Sequence, residues 1–231
     1  MPIDAAQALR LQTWLSPAFP TGAYAYSHGL ERAVEDGTVH DRDTLIDWLD
    51  ADLRHGSGRS DAILFALTHR AAREAGDRAF VEIAGLAAAL RGTSEFALES
   101  SAQGGALLAT VRLAWPDPRL DRITARLTAA RIAPTLPVAV AACVALHGIA
   151  LEDALPLYVQ STVANLVGAG VRLIPLGQSD GQRAIAALEA AVTEIAAAAL
   201  AATIEDLGSA ATMVDITSAR HEIQYTRLFR S

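Results

Sequence analysis

Residues 41–55 read DRDTLIDWLDADLRH. Leu45, Ile46, Leu49 and Leu53 fall at the spacing that places them on one side of a helix, acids occupy the opposite side, and Gly56 follows as a stop. A strand would need alternation with a period of two, and the segment has none. The stretch is an amphipathic helix with one face meant for a core.

The same pattern extends in both directions. Helices are expected over about 4–15, 24–36, 60–75, 77–91, 94–114, 118–131, 137–148, 152–172 and 180–206. Asp117-Pro118 reads as an N-cap followed by proline at the first helical position, and Ser179 to Gln182 has the Ser-x-x-Gln spacing of a capping box. Alanine is abundant, aromatics are few and β-branched runs are scarce, which favours helix over strand. The expectation is an all-α fold: a single globular bundle of about ten helices over residues 1–208, followed by a C-terminal tail, 209–231. No fixed-period repeat or Pro/Ser-rich linker divides the chain.

A chain of 231 residues can bury ~70 to 75% of its unfolded surface, so a core needs no covalent staples. Cys143 is the only cysteine, which excludes an intrachain disulfide and a cysteine-only metal site within one chain. The N-terminal segment has acids where a secretory leader has positive charge, so a cytoplasmic location is expected. The longest uncharged run, Ile132 to Leu151, has the length of a membrane span. Pro134, Pro137, His147 and its many alanines make it weakly apolar, and buried helices are the expectation.

All 19 basic residues are arginine. The absence of lysine removes Schiff-base chemistry and a phosphate-loop lysine together. With 26 acids the net charge is −7, and no cluster of arginines stands out along the chain, so nucleic acid is not an expected partner. The glycines of HGSGRSD, residues 55–61, lack phosphate-loop spacing, and no Gly-x-Ser-x-Gly elbow is present.

Two histidine pairs have metal-site spacing. Cys143 and His147 lie four apart on an apolar helix, where a buried thiol and a core or capped histidine are the simpler reading. His28 and Glu31 lie three apart, and His28 is a weak candidate ligand. Each pair offers two ligands where a closed site needs about four. His40, His55 and His69 read as solvated.

The end of the chain, MVDITSARHEIQYTRLFRS (213–231), mixes Ile223, Tyr225, Leu228 and Phe229 with Arg220, Arg227 and Arg230. Tyrosine, phenylalanine and arginine are enriched at protein contacts. The alternative is a tail folded over its own core, which accounts for the apolar residues better than for all three arginines.

Three separated stretches carry a resemblance to a known family. SPAFPTGAYAYSHGLE (16–31) resembles the N-terminal signature of the urease accessory protein F family, ANLVGAGVRLIPLGQSDGQR (164–183) a later segment, and ARHEIQYTRLFRS (219–231) its tail. The middle resembles it diffusely, and ESSAQGGALL (99–108) lacks a basic residue associated with that stretch. The resemblance implies a helical, non-enzymatic scaffold for nickel insertion into urease. Such a protein dimerises, binds the D-type urease accessory protein and recruits the G-type GTPase to the urease apoprotein. No cofactor would be stably bound, because nickel and GTP are handled by the partners.

The family's motifs map onto Pro20, Gly22, Tyr24, Ser27, Gly29 and Glu31, onto Arg172, Gln178, Asp180 and Gln182, and onto His221, Tyr225 and Arg227. Expected partner-binding residues are Tyr24, His28, Glu31, Arg172, Gln178, His221, Tyr225 and Arg227, with Arg227 as recruiter of the GTPase. Gly22 and Gly29 are expected to serve backbone geometry, Gln182 the capping box, and Arg172 an internal pair with an acid. Three other readings stay open: a regulator acting on the GTPase directly through an arginine, a metalloenzyme built around His28 and Glu31, and a passive conduit for nickel.

Overall fold

The computed structural model describes residues 3–74 and 77–231. Among them are eleven α-helices and no strand. The order is α1 (Ala5–Trp14), a 3-10 turn (Ala23–Ala25), α2 (Leu30–Glu35), α3 (Arg42–His55), α4 (Ser57–Arg73), α5 (Arg78–Ala89), α6 (Ser94–Ala114), α7 (Pro118–Ala130), α8 (Leu136–Leu146), α9 (Leu151–Leu173), α10 (Gln178–Ala201), a second 3-10 turn (Ile204–Asp206) and α11 (Thr212–His221).

α3 forms as its pattern predicts. The Asp41 carboxylate caps it by accepting from the Thr44 amide at 2.9 Å, and Leu45, Leu49 and Leu53 are buried. A Cβ placed on Gly170 of α9 would lie 2.6 Å from Leu45 Cδ2, so glycine lets α9 close onto α3. α7 begins as expected, with Asp117 as N-cap and Pro118 in the first turn.

α8 is the axis of the bundle. Every residue from Pro137 to Leu146 is buried, and the helix packs between α4 and α6. At 11 residues it is too short to span a bilayer, and it resolves the long uncharged run as core. α9 and α10 pack together against α3, while α5 and α7 pair on another side. α10 is the one helix among the described residues with the length and composition of a membrane span; it buries Ala184, Leu188, Ala191, Val192 and Ile195 against the bundle.

Four expectations are corrected. The helix expected over 24–36 is replaced by the 3-10 turn and the six-residue α2, because His28 (φ 57°) and Gly29 (φ 75°) between them are left-handed. Ser179 to Gln182 is no capping box: α10 starts earlier, at Gln178, with Gly177 as N-cap and no side-chain cap. His69 is buried rather than solvated, its Nε2 2.9 Å from the Ile149 carbonyl, and burial holds its pKa below the ordinary value. A further helix, α11, lies inside the segment expected to be tail, and packs against α2 and α6.

Candidate functional site

α2 starts where the left-handed Gly29 turns the chain, and Glu31 lies in its first turn. A Cβ on Gly29 would meet the Ser218 amide nitrogen at 3.0 Å, so glycine lets α11 approach. That approach carries His221 and the residues after it onto α2.

Glu31 is the anchor of the tail. Its carboxylate accepts from the backbone amides of Leu228 at 2.6 Å and Phe229 at 2.9 Å, and faces His221 Nε2 at 3.1 Å. The other ring nitrogen of His221 faces Glu95 Oε2 at 2.7 Å, and Glu95 Oε1 accepts from Arg227 Nη1 at 2.8 Å. A buried carboxylate is tolerable only when its lone pairs are filled. Here the tail's own amides, histidine and arginine fill them.

A second polar cluster adjoins the first along α6. His28 Nδ1 faces Glu99 Oε2 at 3.2 Å, and its Nε2 faces Ser57 Oγ at 2.7 Å, which in turn donates to Asp52. The imidazole stacks on Phe96 with ring centroids 3.9 Å apart. Burial opposes a charge on His28, but Glu99, Asp52 and Asp61 together outweigh it and raise the pKa to about 9. Ser231 Oγ donates to the same Glu99 oxygen at 2.7 Å, and the Ser231 carbonyl accepts from the amide and hydroxyl of Ser27. The tail thus ties both clusters together.

Between them and the core lies a cavity of about 110 Å³, lined by His28, Asp61, Arg91, Glu99, Gln103 and Tyr158 among others. Arg91 and Asp61 form a bidentate ion pair at its wall, at 2.5 and 3.2 Å. Among the described residues no group of three or more His, Cys, Asp or Glu side chains is arranged to hold a metal. His28 and Glu31, paired by spacing, diverge into the two different clusters. Cys143 is buried, with its thiol pKa pushed well up by desolvation. His147 bonds the carbonyls of Cys143 and Trp115.

The residues singled out as partner contacts separate into two groups. His221 is 0% exposed and Glu31 is buried, and His28 is largely enclosed, so in this conformation all three face inward. Tyr24 is 70% exposed and Tyr225 is 103% exposed, while Arg227 keeps 38% of its side chain in solvent. Arg172 finds no acid. Its Nη1 donates to the Tyr24 carbonyl at 2.6 Å, and its guanidinium lies 4.5 Å from the Phe229 ring centre. Gln178 is exposed at the start of α10, apart from these bonds.

Each tail arginine has an intramolecular partner, contrary to expectation: Arg220 pairs with Asp36, Arg227 with Glu95, and Arg230 lies over the Tyr26 ring. Phe229 is buried, whereas Ile223, Tyr225 and Leu228 stay exposed. Glu95 and Glu99 are the residues sequence reasoning missed. Their signal was present: Glu95, Glu99, Gln103 and Leu107 repeat every four residues and are all buried on one face of α6.

Fold and site together define an all-α protein that uses buried acids to fasten its own C-terminal segment. The family model for UreF matches residues 39–189. The chain is 49% identical over 231 residues to the urease accessory protein UreF of Rhodopseudomonas palustris (strain BisB18), covering 99% of this chain and 93% of that protein. It is 46% identical over 228 residues to UreF of Bradyrhizobium diazoefficiens, covering 99% and 93%, and 49% identical over 226 residues to UreF of Granulibacter bethesdensis, covering 98% and 94%. The chain belongs to the UreF family of urease accessory proteins.

Proposed function

We propose that this chain serves the maturation of urease as a scaffold. It binds the D-type accessory protein and brings the G-type GTPase to the urease apoprotein, so that nickel is inserted at the expense of GTP hydrolysed by that partner. In this reading it acts in the cytoplasm, as a homodimer within the complex, with nickel and GTP carried by its partners.

One observation supports this reading above the others. Segments 16–31, 164–183 and 219–231, far apart in sequence, meet at one place: Arg172 links the Tyr24 backbone to the Phe229 ring, and Glu31 links α2 to the tail. The inward residues fix the tail's path, and the outward ones, Tyr24, Tyr225, Leu228 and the free edge of Arg227, form a surface of aromatic and guanidinium groups suited to a protein partner. On this account Glu31, His28 and His221 contribute by positioning the surface. Co-expression of the urease operon with and without this chain tests the role. Loss of urease activity and of nickel content without it is expected; fully active, nickel-loaded urease in its absence would refute it.

A further inference from the structure

The fold gathers arginines that the sequence scatters. Arg10 on α1, Arg73 in the last turn of α4, and Arg119 and Arg122 on α7 surround an open depression of about 630 Å³, together with Glu74 and Asp117. In a chain of net charge −7 four guanidinium groups stand against these two carboxylates and Asp77, which pairs with Arg122, and that makes a local reversal of sign.

Helix-end chemistry explains only part of the group. Arg119 pairs with Asp117 and donates to the Leu146 carbonyl at the end of α8, Arg122 pairs with Asp77, and Arg73 lies at the negative end of α4. Arg10 does not lie in the last turn of its own helix. Among the described residues, neither Arg10 nor Arg73 makes an ion pair or a side-chain hydrogen bond, although acids outnumber arginines in this chain and Arg32, Arg54, Arg91 and Arg220 all have carboxylate partners.

We propose that this depression docks an acidic peptide segment of a protein partner. Carboxylates spaced along an extended chain can each meet one guanidinium, Arg10 or Arg73. The helix-start amide that a phosphate would use is already filled, because the Arg119 amide at the start of α7 donates to Asp117 at 2.8 Å. None of these residues belongs to the tail surface, so this contact goes beyond the scaffold reading and stands or falls separately from it.

The test uses the full chain and a fluorescein-labelled peptide of alternating glutamate and serine, about ten residues long, followed by anisotropy. Saturable binding is expected, weakening steeply as salt shortens the screening length from about 30 Å at 0.01 M to about 8 Å at 0.15 M. The double variant Arg10→Gln/Arg73→Gln is expected to bind about tenfold more weakly. A control with the same charge change, Arg42→Gln/Arg183→Gln around Asp180, should stay within about twofold of the parent. Circular dichroism verifies folding; if the double variant unfolds, Arg10→Gln alone should weaken binding by about threefold. Absence of peptide binding, an equal loss in the control, or tripolyphosphate binding more tightly than the peptide overturns the proposal.

Discussion

Raising the pH through the value of a single buried histidine should loosen the junction between tail and bundle. His28 is held as imidazolium, against burial, by Glu99 and more distantly by Asp52 and Asp61, and its pKa rises from 6.5 to about 9. A group whose folded value lies above its unfolded one stabilises the fold fully below about pH 6.5, and that contribution disappears as the pH climbs through about 9. At about 1.4 kcal/mol per pH unit, the interval corresponds to about 3 kcal/mol. The perturbation is His28→Asn, chosen because asparagine accepts the left-handed backbone at this position (φ 57°). Urea unfolding is measured for parent and variant at about pH 6 and about pH 9.5, so that titration common to both cancels. The parent should lose about 3 kcal/mol more than the variant between the two conditions. Parallel pH dependence in the two proteins would refute the assignment of charge to His28.

Glu31→Gln removes the charge that accepts the Leu228 and Phe229 amides, and should weaken tail docking by about 1.5 to 3 kcal/mol. Limited trypsin digestion would show this as cleavage after Arg227 accelerated by about tenfold or more; unchanged cleavage would remove Glu31 as the anchor. Gly104→Ala places a Cβ 2.3 Å from the Pro134 carbonyl, a backbone atom that cannot swing aside. A loss of about 1 to 3 kcal/mol is expected in thermal or urea unfolding. Tyr24→Ala and Arg227→Ala should each weaken the complex with the accessory partners by about 2 kcal/mol with helicity unchanged, as read by titration with circular dichroism as control. Equal affinity would strip either residue of its contact role.

The helices were legible where apolar periodicity was strong. α3 has Leu45, Leu49 and Leu53 on its buried face, and α7 has Asp117-Pro118 at its start. α11 was hidden because its buried face is Val214, Thr217, Ser218 and His221: the spacing is helical, but three of the four residues are polar, so hydrophobic pattern gives no signal. The site was half legible. Motif resemblance singled out Tyr24, Glu31, Arg172, His221 and Arg227, yet it gave no sign that Glu31 and His221 point inward while Tyr24 points out.

The sequence alone determined the all-α class, the exclusion of lysine-dependent chemistry and of an intrachain disulfide in the given chain, and the family resemblance, because composition, periodicity and local motifs are properties of neighbours along the chain. Tertiary structure alone decided which charges meet. Glu31 and Glu95 sit far in sequence from His221 and Arg227, and Arg10 far from Arg73 and Arg119; only the packing of α2, α6 and α11, and of α1, α4 and α7, brings them within electrostatic reach. Ionic interactions depend on separation in space and on burial, and neither is written in sequence spacing.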